Sequence, residues 1–217
     1  PAGLSTAIRY AQLCQSEQRP ISVCVLEKGP EVGAHILSGA VIEPRALNEL
    51  LPNWQELSAP LKTPVVADHF RFLTQRKSWR LPIAPDMHNQ GNYIASLGEI
   101  CRWLARQAED LGVEIFPGFT AAELVKNEGG EVTGIITGDQ GLNKKGERKG
   151  SFQAGMILMA KQLVLAEGCR GSLSEQVMKD YGLRAPSKIQ TYGLGLKEVW
   201  RVSPDKHQRG HVFHTIG

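Results

Sequence analysis

Pro1-Ala2-Gly3-Leu4-Ser5-Thr6-Ala7-Ile8-Arg9 opens the chain and reads as the second half of a G-x-G-x-x-G turn running into a helix. Further along, Ile21-Ser22-Val23-Cys24-Val25-Leu26-Glu27 is a short apolar run ending in an acid. A helix start rich in small residues, then a strand, then a carboxylate is the order of a dinucleotide fold, and it points to FAD or NAD. Gly3 stands where the third glycine lets the helix pack close to its strand. The free N–H groups and the dipole of that helix start attract a pyrophosphate. Glu27, an acceptor when ionised, suits both hydroxyls of an adenosine ribose and disfavours a 2′-phosphate. The competing reading is an ordinary βα unit. The first two glycines and the strand before them are not in the chain, so a piece of a longer protein is expected.

Composition narrows the field. The 217 residues include 41% hydrophobic and 22% charged ones, ordinary for a globular protein of one large or two small domains. The net charge of +3 argues against a general nucleic-acid binder. The densest basic run, Lys144-Lys145-Gly146-Glu147-Arg148-Lys149, reads as the solvated tip of a hairpin. Cys14, Cys24, Cys101 and Cys169 are scattered without metal-site spacing, which suggests reduced thiols, with Cys24 and Cys101 packing in the core. No apolar run is long enough to span a bilayer.

Periodicity places a helix over residues 3–15, a strand over 21–27, a short helix from Pro44 to Leu51 and a longer one from Leu97 to Leu111, stopped by Gly112. Residues 29–40 are too rich in glycine for a regular element. Prolines recurring from Leu57 to Pro85 suggest irregular strands. Strands are expected at 113–116, 121–126, 132–137, 156–159, 162–166 and 191–202, with 127–130 as a tight turn, and a last helix at 172–181. Asp68-His69 and the histidines from His207 to His214 lack the spacing of a catalytic or metal constellation and read as surface or loop residues.

The pieces together resemble the glutathione-reductase class of FAD-dependent oxidoreductases. Gly33-Ala34-His35-Ile36-Leu37-Ser38-Gly39-Ala40, Glu43-Pro44-Arg45-Ala46-Leu47, Gly91-Asn92-Tyr93-Ile94, Leu163-Val164-Leu165-Ala166-Glu167-Gly168-Cys169-Arg170-Gly171 and Gln190-Thr191-Tyr192-Gly193-Leu194-Gly195-Leu196-Lys197-Glu198-Val199-Trp200 narrow it. These five motifs are similar to those of the electron-transfer flavoprotein-ubiquinone oxidoreductase family, and the resemblance covers essentially the whole chain. It departs at Ser96, where the family commonly has an arginine, so no charge role is carried over there.

The resemblance implies a mixed α/β fold, a Rossmann-like FAD/NAD(P)-binding domain with an inserted β-rich segment, truncated at both ends. Residues 1–58 and 91–185 would form the FAD-binding domain, 59–90 an irregular insert on the quinone or membrane side, and 186–217 the start of a quinone-binding domain. FAD would be held by Gly3, Glu27 and Lys28, by Gly33, His35, Ser38, Gly39 and Ala40 beside the isoalloxazine ring, and by Glu167 and Gly168 near the ribityl and pyrophosphate groups. His35 has a competing role in bracing its own loop, Ser38 and Gly39 in turning it, and Glu167 in capping the following helix. Tyr192, Gly193 and Gly195 have the alternative of a core strand.

The implied parent protein accepts electrons from electron-transfer flavoprotein and passes them to ubiquinone. It carries a 4Fe-4S cluster whose cysteines are expected beyond Gly217. It would be peripheral to the cytoplasmic face of a bacterial inner membrane or the matrix face of the mitochondrial one. Phe70, Phe72, Leu73, Leu81, Ile83 and Met87 are the candidate lipid-facing residues. No catalytic triad, nucleophile or metal-ligand set is expected in the chain. On its own the piece is expected to be inactive and to have lost tight FAD binding. A related FAD monooxygenase or prenyl reductase, or a non-catalytic binding module, are the rival readings.

Overall fold

The computed structural model describes residues 1–37, 39–184 and 189–217. In chain order its elements are α1 (Ala2–Ser16), β1 (Cys24–Glu27), β2 (Ala40–Ile42), α2 (Arg45–Leu50), β3 (Thr63–Pro64), β4 (Ala67–Leu73), β5 (Ser78–Leu81), a 3-10 turn (Pro85–Met87), β6 (Tyr93–Ala95), α3 (Leu97–Asp110), β7 (Glu114–Pro117), β8 (Ala121–Lys126), β9 (Val132–Thr137), β10 (Gln140–Leu142), β11 (Arg148–Gln153), β12 (Ile157–Met159), α4 (Ser172–Asp180) and β13 (His211–Ile216). The fold is mixed α/β. The chain divides into two units, residues 1–32 with 108–195, and residues 33–107 with 196–217.

In the first unit, α1 buries Leu4, Ala7, Ile8, Ala11 and Cys14, one helical stripe. Its interior is small for a reason: a Cβ added at Gly3 would lie 3.2 Å from the Cβ of Ala166. β1 pairs in parallel with β7, Cys24 opposite Glu114 and Glu27 opposite Pro117. β8, β9 and β12 form an antiparallel meander, and β10 and β11 a separate hairpin with the basic tip. Asn127 closes the β8–β9 turn, its Oδ1 accepting the Glu131 N–H at 2.8 Å, while Gly130 takes φ +82°. α4 is fastened to this meander by a 2.6 Å Lys126–Asp180 ion pair and by Tyr181, whose hydroxyl donates to the Gly130 carbonyl.

α1 stops in a Schellman arrangement. The Arg19 N–H bonds the Cys14 carbonyl at 2.8 Å and the Gln18 N–H bonds the Gln15 carbonyl at 3.1 Å, with Gln18 at φ +53°. A side chain in that conformation is strained where glycine is not. Gln18→Gly is therefore expected to stabilise the protein by about 0.5–1 kcal/mol, read as a higher urea midpoint at unchanged slope.

The second unit is built around two tryptophans. Trp54 is buried edge-on against Tyr93, ring centroids 5.7 Å apart, and its indole N–H donates to Asn48 Oδ1 at 2.7 Å. Trp103 of α3 is buried and donates to the Leu57 carbonyl at 2.9 Å. Both satisfy their polar atom on burial. β6 lies between β2 and β3, and β4 lies between β5 and β13, paired in parallel with β13 and antiparallel with β5.

On β4, the buried Asp68 carboxylate accepts the Asn89 backbone N–H at 2.8 Å and its side-chain amide at 2.7 Å, with His214 Nε2 at 3.7 Å. Burial alone raises the pKa of this carboxyl. The Asn89 bonds and His214 outweigh it and hold Asp68 below its ordinary value. A depressed folded pKa means stability present above the unfolded pKa and lost as pH falls through the folded one. Asp68→Asn is expected to cost roughly 2 kcal/mol at neutral pH and to flatten the acid side of the stability profile measured by urea unfolding.

Three expectations are corrected. Residues 162–166, an apolar run, and 191–202, an alternating one, form no strand: among the described residues no ladder partner takes their backbone groups. Leu194 and Leu196 are more than 90% exposed. Cys24, at the first position of β1, is exposed and does not pack in the core, whereas Cys101 does. His69, His211 and His214 lie on strands and not on loops.

Candidate dinucleotide-binding site

Glu27 ends β1, and its surroundings are set by the parallel ladder. Its carbonyl accepts the Phe119 N–H at 3.1 Å, and the Gly29 carbonyl accepts that of Gly118 at 2.8 Å, so the loop after β1 is tied to the loop after β7. The carboxylate itself is oriented by its own turn, Oε1 accepting the Gly29 N–H at 2.6 Å. This leaves Oε2, which takes no hydrogen bond among the described residues. Lys28 beside it is exposed.

Two helix starts of the first unit contrast. α4 is capped by Glu167: Oε2 accepts the Ser174 N–H and hydroxyl, both at 2.7 Å, and Oε1 accepts the Leu173 N–H at 3.3 Å. α1 has no side-chain cap and no acid in its first turn. An anion is thus already supplied at α4 by the chain, while the first-turn amides of α1 have the chemistry to receive an external one. Gly3, without a Cβ, leaves room in that turn for Ala166. Gly168, at φ +84° with open space around a notional Cβ, turns the chain between Ala166 and α4. Downstream, the Arg170 guanidinium lies 4.6 Å from the Tyr192 ring centroid.

The second unit holds the glycine-rich loop. Gly33 is buried at φ +85°, and a Cβ there would lie 2.9 Å from the Gly98 carbonyl oxygen at the start of α3. The demand on Gly33 is a backbone-to-backbone approach. His35 is exposed. Ser38 lies outside the described residues. Gly39, at φ +83° with nothing within 4 Å of a notional Cβ, offers its carbonyl to the Lys197 ammonium. Ala40 begins β2 opposite Ala95.

One cluster escaped the sequence reading. His69 Nε2 and His211 Nδ1 are 2.9 Å apart, within hydrogen-bond distance, between nearly parallel rings, and Phe213 stacks on His69 at 4.4 Å between centroids. The pairing of β4 with β13 across most of the chain creates it, and only the matched alternation of His69-x-Arg71 and His211-x-Phe213 hinted at it. Among the described residues no group of three or more His, Cys, Asp or Glu is placed to hold a metal ion.

A family model described as FAD binding domain matches residues 40–197. The whole chain is 52% identical to the mitochondrial electron transfer flavoprotein-ubiquinone oxidoreductase of Dictyostelium discoideum, spanning 36% of that protein. It is 54% identical to the electron transfer flavoprotein-ubiquinone oxidoreductase of Pseudomonas aeruginosa, again over the whole chain and over 40% of the relative. The chain thus spans well under half the length of the curated relatives it matches. In fold it is similar to the crystal structure of a ternary complex of aklavinone-11 hydroxylase with FAD and aklavinone, with a TM-score of 0.52 and 19% identity over 80% of this chain and 32% of that one. A family model spanning most of the sequence places the chain in the FAD binding domain family.

Proposed function

We propose that this chain is the flavin-binding part of an enzyme that takes electrons from reduced electron-transfer flavoprotein and passes them to ubiquinone. The observation that carries the reading is an overall identity of about half, over the whole chain, to relatives bearing that name. FAD, when bound, supplies the redox chemistry; the chain supplies grip and placement. In the first unit, the amides at the start of α1 around Gly3 receive the pyrophosphate, the Glu27 carboxylate takes the adenosine ribose hydroxyls, and Lys28 lines the same loop. Glu167 holds α4 and, with Gly168, forms the turn assigned to the ribityl and pyrophosphate groups. In the second unit, Gly33, His35, Ser38, Gly39 and Ala40 belong to the loop assigned to the isoalloxazine side. Residues 186–217 are assigned to the quinone side. The 4Fe-4S cluster is assigned to the length of the relatives that this chain does not span.

The test is quinone reduction by the full-length protein with reduced electron-transfer flavoprotein as donor. Activity that depends on added FAD and on both partners supports the reading. Activity only with a nicotinamide donor and an organic substrate would overturn it in favour of a monooxygenase.

Membrane association is proposed through the β4–β5 hairpin. No described helix is long and apolar enough to cross a membrane. Phe72 and Leu73 are exposed, while Phe70, Leu81, Ile83 and Met87 are half-buried. Replacing Phe72 and Ile83 by serine is expected to weaken partitioning onto vesicles by about tenfold or more. Unchanged flotation of the double variant would remove the assignment.

A further inference from the structure

From His69 to Pro85 the chain carries no carboxylate, yet Arg71, Arg76, Lys77 and Arg80 place four cations there. β4 and β5 fold this stretch so that Arg71 stands directly opposite Arg80 and Phe72 opposite Trp79. Side chains alternate along a strand, so the two guanidiniums share one face and the two rings the other. Like charges directly opposite one another destabilise an antiparallel pair. Among the described residues neither guanidinium has a carboxylate partner: Arg71 donates to the Ser78 hydroxyl at 3.3 Å and lies 6.0 Å from the Phe213 ring centroid. The same positive field reaches His69. Its imidazole titrates below its ordinary value, first through desolvation and then through repulsion by His211, Arg71 and Arg80, with Asp68 opposing. On the other face Phe72 and Trp79, with ring centroids 5.9 Å apart, are 39% and 47% exposed. Thr74 closes the turn by bonding both the carbonyl and the N–H of Lys77, so the tip holds its shape unaided. β5 is the outer strand of its sheet.

We propose that the β4–β5 hairpin docks on an anionic phospholipid surface, with Arg71, Arg76, Lys77 and Arg80 pairing with lipid phosphates while Phe72 and Trp79 enter the boundary between headgroups and acyl chains. This rests on the membrane reading above and adds the class of lipid. A ribbon dipped into the headgroup layer meets lipid on both faces, so cations and rings are served together. Free phosphate answers only the guanidiniums and leaves the rings in water.

The experiment is co-sedimentation of the full-length protein with vesicles of phosphatidylcholine alone or mixed with phosphatidylglycerol. Each basic residue near an anionic surface contributes a factor of about five, so binding to the mixed vesicles is expected to be at least about tenfold tighter, with the excess shrinking as salt rises. Arg71→Gln with Arg80→Gln should remove most of that excess and leave binding to phosphatidylcholine unchanged. Arg76→Gln with Lys77→Gln, in an exposed turn held by Thr74 and the backbone, should lower it as well. Equal binding of the unaltered protein to both vesicle types overturns the lipid preference and leaves membrane association standing; no binding to either overturns both. Complete loss of the excess to inorganic phosphate at constant ionic strength also overturns the proposal, since the ligand is then the free anion.

Discussion

Alanine at position 27 is expected to lower the affinity of the full-length protein for FAD by about a hundredfold. Glu27 sits where β1 ends, and one carboxylate oxygen is already fixed by the Gly29 N–H at 2.6 Å. A short, charge-assisted bond of that kind costs the ligand nothing to form, because the acceptor is aimed before the ribose arrives. A hydrogen bond to a charged group contributes about 1.5–3 kcal/mol, a factor of roughly 10–150 in binding. Glu27→Gln keeps one acceptor oxygen and is expected to lose about tenfold. Fluorescence titration of the apoprotein with FAD reads both. Because the alanine variant also frees the Gly29 N–H, the urea midpoint of the apoprotein is measured beside it. A drop in stability with unchanged FAD affinity would mean that Glu27 serves its own turn only.

Gly33→Ala should destabilise the protein by about 2–4 kcal/mol, the largest stability change expected in the chain. Two costs combine. The backbone at φ +85° is one that side chains rarely adopt, and the added carbon would lie 2.9 Å from the Gly98 carbonyl oxygen, a backbone atom that no side-chain rotation moves away. Gly39→Ala is the control. Gly39 has a similar φ of +83° but nothing within 4 Å of a notional Cβ, so only the conformational cost applies, roughly 1–2 kcal/mol. Equal losses at the two positions, measured by urea unfolding, would show that the approach to Gly98 does not matter.

What the sequence made legible follows from how local each signal is. The α1 stripe from Leu4 to Cys14, the α3 stripe ended by Gly112 and the Asn127 turn are written in neighbouring residues, and each stands where periodicity and turn chemistry put it. The apolar run at 162–166 and the alternation at 191–202 are equally clear, but a strand also needs a partner, and neither pattern names one. Gly33 was recognisable as a loop glycine, yet its partner, Gly98, lies far along the chain, so the reason for it was not. Glu167 had two readings, and the bonds from Ser174 to its carboxylate, which cap α4, depend on a fold that the local sequence does not spell out. The His69–His211 pair was barely legible because a parallel pairing of β4 with β13 leaves only the alternation within each strand as a sign of it.

The central claim is that α1 and the end of β1 grip the ADP half of FAD. A structure of the full-length protein with FAD bound tests it most directly. The account predicts an oxygen of Glu27 about 2.6–3.2 Å from the adenosine ribose hydroxyls, with the pyrophosphate against the amides at the start of α1. An adenosine bound elsewhere, with Glu27 facing only Gly29, would contradict it.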